Sequence, residues 1–385
     1  RRSANSANAE FISMVLGGPY AQPVRGSGTG VRSREAGLAI EAKGLRRVYR
    51  NRTGWLRPRR TQVEAVRGVD LTVRRGELFG LLGPNGAGKT TTIKMLNTLL
   101  VPTAGTARVC GFDVVGDTMQ VRRRIGYVFG GDRGLYDRLT ALDNLRYFAE
   151  LYGVPHRDQR RRIGELLELV GLTGRERERV EGYSRGMRQR LHIARGLLHS
   201  PELLFLDEPS IGVDPVGARE LRRTVANLAA TGTTVLLTTH YMAEADELCD
   251  RIAVIAGGRI RALGTPAELR RHAEGRRVLE VEAYGVADDH LAAIRRIPGV
   301  RDCTVEERGA AQVLTVQSDA GRDAQPDVLR VLAGLRLGRV AVREPTLEDA
   351  YVAIVSERSG PASDVDQSDE PSAPVAHAAA AGVTS

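Results

Sequence analysis

The chain predicts an α/β fold, a largely parallel sheet domain followed by a smaller α+β domain, on three observations. From Leu38 to about Leu269, apolar strand-like runs alternate with helical patterns, which is how a parallel sheet with crossover helices reads. Inside that stretch, Leu78-Phe79-Gly80-Leu81-Leu82, a glycine-rich loop and Thr91-Thr92-Ile93-Lys94-Met95-Leu96 follow one another as strand, loop and helix. Past Arg276 the pattern changes to period-two runs separated by two helical segments.

Taken in order, residues 1–36 are rich in Ser, Gly, Ala and Asn without periodicity and are expected to form a disordered arm. The first domain spans 37–275. Helical stretches near 140–152 and 158–171 follow each other with no strand between them, so a helical insertion is expected over about 131–186. In the second domain, 276–357, strands are expected at 278–283, 300–306, 313–317 and 338–343, with helices near 287–296 and 324–334. That order, β-α-β-β-α-β, is the ferredoxin-like arrangement. Residues 358–385 are Ala, Ser, Pro and acidic residues, a second expected disordered tail.

Composition bounds the function. A length of 385 residues suits two domains with a well-buried core. Three widely spaced cysteines, Cys110, Cys249 and Cys303, fit neither a disulfide framework nor a metal site, and point to a reducing compartment. No apolar run approaches the roughly 20 residues that span a bilayer, and Arg1-Arg2 opens onto polar sequence rather than a signal-peptide core. The net charge of +9 is spread along the chain as arginine, and aromatics are not interleaved with it, so a solvated surface is expected and no nucleic acid.

Gly83-Pro84-Asn85-Gly86-Ala87-Gly88-Lys89-Thr90 matches the phosphate-cradling loop in full. Its glycines let backbone N–H groups converge on phosphate oxygens, and the helix opening at Thr90-Thr91 aims its positive end at the anion. Lys89 reaches the β and γ phosphates, and the Thr90 hydroxyl ligates Mg²⁺. Lys43, Lys89 and Lys94 are the only lysines in an arginine-rich chain. Lysine is kept where a planar guanidinium would not fit inside a closed backbone loop.

Downstream residues narrow the chemistry. The apolar strand Leu203-Leu204-Phe205-Leu206 ends in Asp207 and Glu208, the first placed to hold Mg²⁺ and the second to orient or deprotonate the attacking water. A second strand, Val235-Leu236-Leu237-Thr238-Thr239, ends at His240, which can donate to the γ-phosphate. Tyr183-Ser184-Arg185-Gly186-Met187 opens a helix through Leu198; Ser184 either caps it or, with its N–H groups, forms a second anion site.

This order of motifs over 38–269 resembles the ATP-binding cassette (ABC) ATPases, a P-loop NTPase core with a helical subdomain. The resemblance implies ATP and Mg²⁺ as cofactors and a head-to-tail dimer in which Ser184 and Gly186 contact the γ-phosphate held by the partner. It further implies that Asp214 crosses the interface and that Tyr49 stacks on adenine, although a core aromatic is an equal reading of Tyr49. Two positions depart from the pattern: Gly130 stands where a magnesium-touching glutamine is usual, with Asp132 or a water as substitute, and Arg185 stands where glycine is usual. Basic residues around Trp55 form an insertion, read as a solvated hairpin or a membrane contact.

The segment Pro345-Thr346-Leu347-Glu348-Asp349-Ala350-Tyr351 resembles the terminus of daunorubicin-type exporter ATPases. The resemblance implies a peripheral subunit on the cytoplasmic membrane face, paired with a second copy and a membrane-spanning permease, exporting a drug or lipid-like molecule. Polysaccharide export, or action on DNA or ribosomes, are the alternatives.

Overall fold

The computed structural model describes residues 37–53, 59–131, 134–273, 276–319, 321 and 323–356. The expected arm and tail, Trp55 and Asp132 lie outside them. Strands β1 (Leu38–Thr53) and β2 (Arg59–Arg74) pair antiparallel as far as Thr53 opposite Arg59, so the flanks of the basic insertion are a hairpin. With β4 (Ala104–Val109) and β5 (Phe112–Asp113) they make a four-stranded sheet ordered β2-β1-β4-β5.

The central sheet has six strands, in the order β6 (Ile125–Phe129), β7 (Leu203–Asp207), β8 (Thr234–Thr239), β3 (Leu78–Leu82), β9 (Arg251–Ala256) and β10 (Arg259–Gly264). Five are parallel, and β10 returns antiparallel on β9. Side chains alternate across a strand, so each strand feeds two cores. Phe79, Leu81, Leu203, Phe205 and Leu236 pack with the antiparallel sheet and with helix α1 (Lys89–Leu96) on one face. Leu78, Leu82, Leu204, Leu206, Val235 and Leu237 pack against helices on the other. Burial on both faces is why these strands read as continuous apolar runs rather than alternating ones.

The second face is covered by α3 (Ala141–Leu151), α4 (His156–Leu169), α5 (Arg185–Leu197) and α6 (Pro215–Ala230), while the short α2 (Thr118–Arg122) leads into β6. The Thr140 hydroxyl accepts the Asp143 N–H at 3.1 Å and so starts α3. Apolar positions Leu145, Phe148, Ile163, Leu166 and Leu167 recur at helical spacing and join the same core. The helical insertion is therefore packed onto the sheet domain through a shared apolar cluster. Helix α7 (Met242–Leu248) follows β8, and α8 (Pro266–Arg270) follows β10 with a complete capping box between Thr265 and Glu268.

The third sheet is antiparallel and ordered β12 (Val300–Arg308), β13 (Ala311–Asp319), β11 (Arg276–Tyr284), β14 (Arg336–Arg343). With α9 (Asp288–Arg295) after β11 and α10 (Gln325–Val331) after β13, chain order and strand order are those of the ferredoxin-like arrangement. Ile294 and Val328 seat these helices on Val281, Leu314 and Val316.

One helix was not anticipated. The segment from Pro345 runs into α11 (Leu347–Ser356), which returns to the first domain and packs on α7, α8 and β10. Leu347 and Ile354 are buried in the core of the central sheet's helical face. Asp349, 3% exposed, begins the helix by accepting the Thr346 N–H at 2.7 Å and the Arg343 guanidinium at 2.5 Å. Burial opposes ionisation there, but these bonds hold the Asp349 carboxyl below its usual range. The motif that resembled an exporter terminus is thus a clamp between the two domains.

Two outcomes follow from this packing. Leu347→Ala should lower stability by about 2–5 kcal/mol, read as a shift in the urea unfolding midpoint. Burial pushes the thiols of Cys110 and Cys303 up to about 12 and about 11, and that of Cys249 upward as well. All three should therefore resist iodoacetamide until the chain is unfolded, as counted by mass spectrometry.

Candidate active site

Parallel pairing brings the strand ends together. Leu82 lies opposite Thr239, and Asp207 opposite Thr238, so the phosphate loop, the Asp207-Glu208 pair and His240 all leave the sheet at its carboxyl edge. Open α/β sheets bind ligands in the crevice beyond that edge.

The loop is closed by Gly88, the residue before α1, at φ +106°. A Cβ on Gly88 would sit 2.6 Å from the Ala65 carbonyl oxygen of β2, so glycine is required both for the turn and for the close approach. The Ala87 N–H donates to the Pro84 carbonyl at 3.2 Å, and the Thr92 N–H to the Gly88 carbonyl at 2.9 Å. Pro84, Asn85, Gly86 and Thr90 are exposed on the rim, Thr91 is half-buried, and Gly83, Ala87, Gly88 and Lys89 are buried beneath.

Lys89 is 5% exposed, and a buried ammonium is costly unless surrounded by acceptors. Its Nζ donates to the carbonyls of Gly83 at 2.5 Å and Pro84 at 3.1 Å, and lies 2.9 Å from Glu208 Oε1. The other carboxylate oxygen of Glu208 meets His240 Nδ1 in a short hydrogen bond. Three residues from three separate motifs are therefore one network, with Glu208 at its centre. Glu208 itself is held in a left-handed conformation, φ +52°, by its N–H bonding Thr238 O at 3.1 Å and Oγ1 at 3.0 Å.

Asp207 forms a second network beside the first. Its Oδ1 accepts from Thr238 Oγ1 at 2.6 Å and Thr90 Oγ1 at 3.2 Å, and its Oδ2 accepts from the Tyr127 hydroxyl at 3.3 Å. Burial and the neighbouring Asp207 carboxylate push the Tyr127 phenol well above its usual range. A hydroxyl and a carboxylate facing each other are the oxygen donors a hard divalent cation takes, so Thr90 and Asp207 fit Mg²⁺. Thr238 and Tyr127 were missed by sequence reasoning, because a hydroxyl inside an apolar strand has no spacing to mark it.

Tyr49 lies on β1 opposite Val63, half-buried, with the Arg47 guanidinium 5.0 Å from its ring centroid. It is on the same hairpin whose Ala65 abuts Gly88, and it lies outside the core clusters.

Ser184, Gly186 and Asp214 assemble as a separate cluster. Ser184 caps α5 by accepting the Met187 N–H at 3.2 Å, and Asp214 caps α6 by accepting the N–H groups of Val216 at 3.1 Å and Gly217 at 2.9 Å. Gly186 is buried where α5 meets α6, and a Cβ there would approach Gly217 Cα to 3.0 Å. Arg185 donates to the Gly212 carbonyl at 3.1 Å, so the unusual arginine fastens the start of α5 to the Ile211–Asp214 loop. Around it Ser184 and Asp214 are exposed, and so are Ile211 and Val216, at 47% and 70%.

Gly130 has a packing reason. Its N–H donates to the Asp207 carbonyl at 2.8 Å, and a Cβ would fall 2.3 Å from the Glu208 carbonyl oxygen and 2.7 Å from Ile211 Cγ2. The strand end lies so close to the loop after β7 that this arrangement excludes a side chain at position 130.

The fold and the phosphate loop with its two carboxylates define a nucleotide-binding P-loop ATPase. Comparison with known proteins narrows the class. The sequence profile of the ABC transporter family matches residues 66–211, and that of the C-terminal domain of DrrA1-3-like ATP-binding proteins matches residues 264–355. The chain is 38% identical to the linearmycin resistance ATP-binding protein LnrL of Bacillus subtilis, over 81% of this chain and 97% of that one. It is 41% identical to the daunorubicin resistance ATP-binding protein DrrA3 of Streptomyces coeruleorubidus, over 76% of this chain and 92% of that one. Among solved structures, the ATP-binding subunit of an ABC transporter superposes with a TM-score of 0.51 at 32% identity, covering 60% of this chain and 92% of that one. A dimeric bacterial ABC transporter cassette gives a TM-score of 0.51 at 25% identity, over 59% of this chain and 98% of that one. The chain belongs to the ABC transporter ATP-binding proteins and is an ATPase of that family.

The contact at Gly130 has a measurable cost. Gly130→Ala should displace the Glu208 backbone and lower stability by about 1–3 kcal/mol, checked by denaturant unfolding, with ATP turnover falling in parallel.

Proposed function

We propose that the protein is the ATP-hydrolysing subunit of an exporter, working as a pair of copies that close around two ATP molecules and drive a separate membrane-spanning permease. The observation that carries this reading is the Glu208 carboxylate shared between Lys89 and His240 at the mouth of the phosphate loop. Relatives named for resistance to linearmycin and daunorubicin support a drug or lipid-like substrate. Among the described residues no helix is long and apolar enough to cross a membrane.

The residues divide the work as follows. The triphosphate of ATP takes over the acceptor role that the Gly83 and Pro84 carbonyls and Glu208 now fill around Lys89, and the loop amides from Gly86 to Thr91 bind its oxygens. Thr90 and Asp207 hold Mg²⁺, which when bound neutralises charge on the β and γ phosphates. Release from Lys89 frees one Glu208 oxygen to accept a proton from the attacking water, while His240 keeps the other oxygen oriented. Tyr49 lies against the adenine. The cluster of exposed Ser184 and Asp214 with Gly186 beneath them meets the nucleotide of the partner copy, and Ile211 and Val216 supply apolar surface for that contact. Closure shields the Glu208–His240 pair and its attacking water from bulk solvent, and loss of phosphate reopens the two copies.

Glu208→Gln should bind ATP with near-normal affinity but hydrolyse it at least about a hundredfold more slowly, and should accumulate as an ATP-dependent dimer in light scattering. Turnover near the unmodified rate would remove Glu208 from its role. Lys89→Ala should abolish tight binding of a fluorescent ATP analogue in titration. Co-purification of a permease with the full chain, followed by ATP-dependent drug uptake into inverted vesicles, tests the transport assignment; its absence for every permease tried would overturn it.

A further inference from the structure

Glu244 stands in the first turn of α7, four residues after His240, and is 3% exposed. A carboxylate so deeply buried is costly unless hydroxyl or N–H donors surround it. Ser210 donates its hydroxyl to Glu244 Oε2 at 3.2 Å, and the Thr239 hydroxyl lies near enough to favour the charged form of the same carboxyl. Thr239 is polarised in turn, since its Oγ1 accepts the Tyr241 N–H at 3.0 Å. Burial pushes the Glu244 carboxyl upward, the two hydroxyls and Arg222 oppose that, and Glu208 adds to it.

The two hydroxyls come from different places. Ser210 opens the loop that leads from Glu208 to Asp214: Ile211 N–H bonds the Glu208 carbonyl at 3.2 Å and Val213 N–H bonds the Ser210 carbonyl at 3.1 Å. Thr239 is the last residue of β8 and immediately precedes His240. The Ser210–Glu244 bond therefore joins the loop carrying the exposed Asp214 to the first turn of α7, the helix that directly follows the histidine that holds Glu208. An apolar residue would fill this space more cheaply if packing alone were needed.

We propose that Glu244 is a positioning residue for hydrolysis: through Ser210 it ties the Ser210–Asp214 loop to the start of α7 just after His240, so that closure of a second copy on that loop sets the Glu208–His240 pair. This rests on the reading that ATP is hydrolysed between two copies of the chain. The tie acts on orientation and leaves the phosphate loop untouched, so it governs kcat rather than ATP affinity.

The test uses the full chain with ATP and magnesium, and varies the serine and the carboxylate separately and together. Ser210→Ala should lower kcat about tenfold, with KM for ATP and the affinity for a fluorescent ATP analogue changed less than about twofold. Ser210→Thr, which keeps the hydroxyl, should recover kcat to within about twofold of the unmodified chain. Ser210→Ala combined with Glu244→Gln should fall no further than the worse of the two alone, since the first removes and the second weakens the same hydrogen bond. An unchanged kcat in Ser210→Ala, additive losses, or KM rising in step with the loss of kcat would overturn the assignment. Those results leave ATP-dependent pairing of Glu208→Gln intact, whereas failure of that pairing would overturn the two-copy reading and this inference together.

Discussion

Parallel hydrogen bonding between β3, β8 and β7 is the constraint on which the rest depends. In a parallel sheet all carboxyl ends emerge on one edge, so residues more than a hundred positions apart are delivered to the same place without any direct attraction between them. The register then decides what meets. Thr238 lies opposite both Leu81 and Asp207, and it is the residue whose hydroxyl and carbonyl hold Asp207 and Glu208 in position. A shift of one residue along β8 would exchange Thr238 for a neighbour facing the opposite core, so the site is as well specified as the apolar packing beneath it.

On that edge every charged group already has a hydrogen-bonding or charged partner within the chain. Lys89 rests on two carbonyls and Glu208, Glu208 on His240, and Asp207 on three hydroxyls. Buried ions tolerate this only because each has a partner, and the partners are the groups a triphosphate and its cation would replace. Preorganisation of this kind makes the site ready to exchange internal bonds for bonds to phosphate at small cost in rearrangement.

The two departures from the family pattern have local physical causes. Gly130 is packed against the Glu208 carbonyl, so its lack of a side chain is a steric condition for this strand end. Arg185 holds the Gly212 carbonyl, joining α5 to the loop that precedes α6. Both lie against the segment from Glu208 to Asp214: Gly130 leaves room for Glu208 and Ile211, and Arg185 bonds the Gly212 carbonyl. The return of α11 onto α7 and α8 adds a further connection, because α7 directly follows His240. The second domain is thereby mechanically joined to the helix behind the histidine.

Much of this was legible in the sequence. The phosphate loop, the Asp207-Glu208 strand end, His240 and the capping serine were recognisable because each occupies consecutive positions whose chemistry and local conformation are inseparable. The strands and helices of the second domain likewise appeared within a few residues of their expected limits, since periodicity is a local property. Thr238, Tyr127, Ser210 and Glu244 were invisible, being hydroxyls and a carboxylate whose meaning comes from neighbours on other strands. The resemblance of the segment from Pro345 to the terminus of daunorubicin-type exporter ATPases is borne out, and only the structure showed that it forms a helix packed on the first domain. The sequence by itself determined which atoms could bind phosphate and which segments would be strand or helix, because those depend on residues a few positions apart. Only the tertiary structure decided which side chains share a proton or a charge, because parallel register and helix packing, not distance along the chain, set what lies within 3 Å.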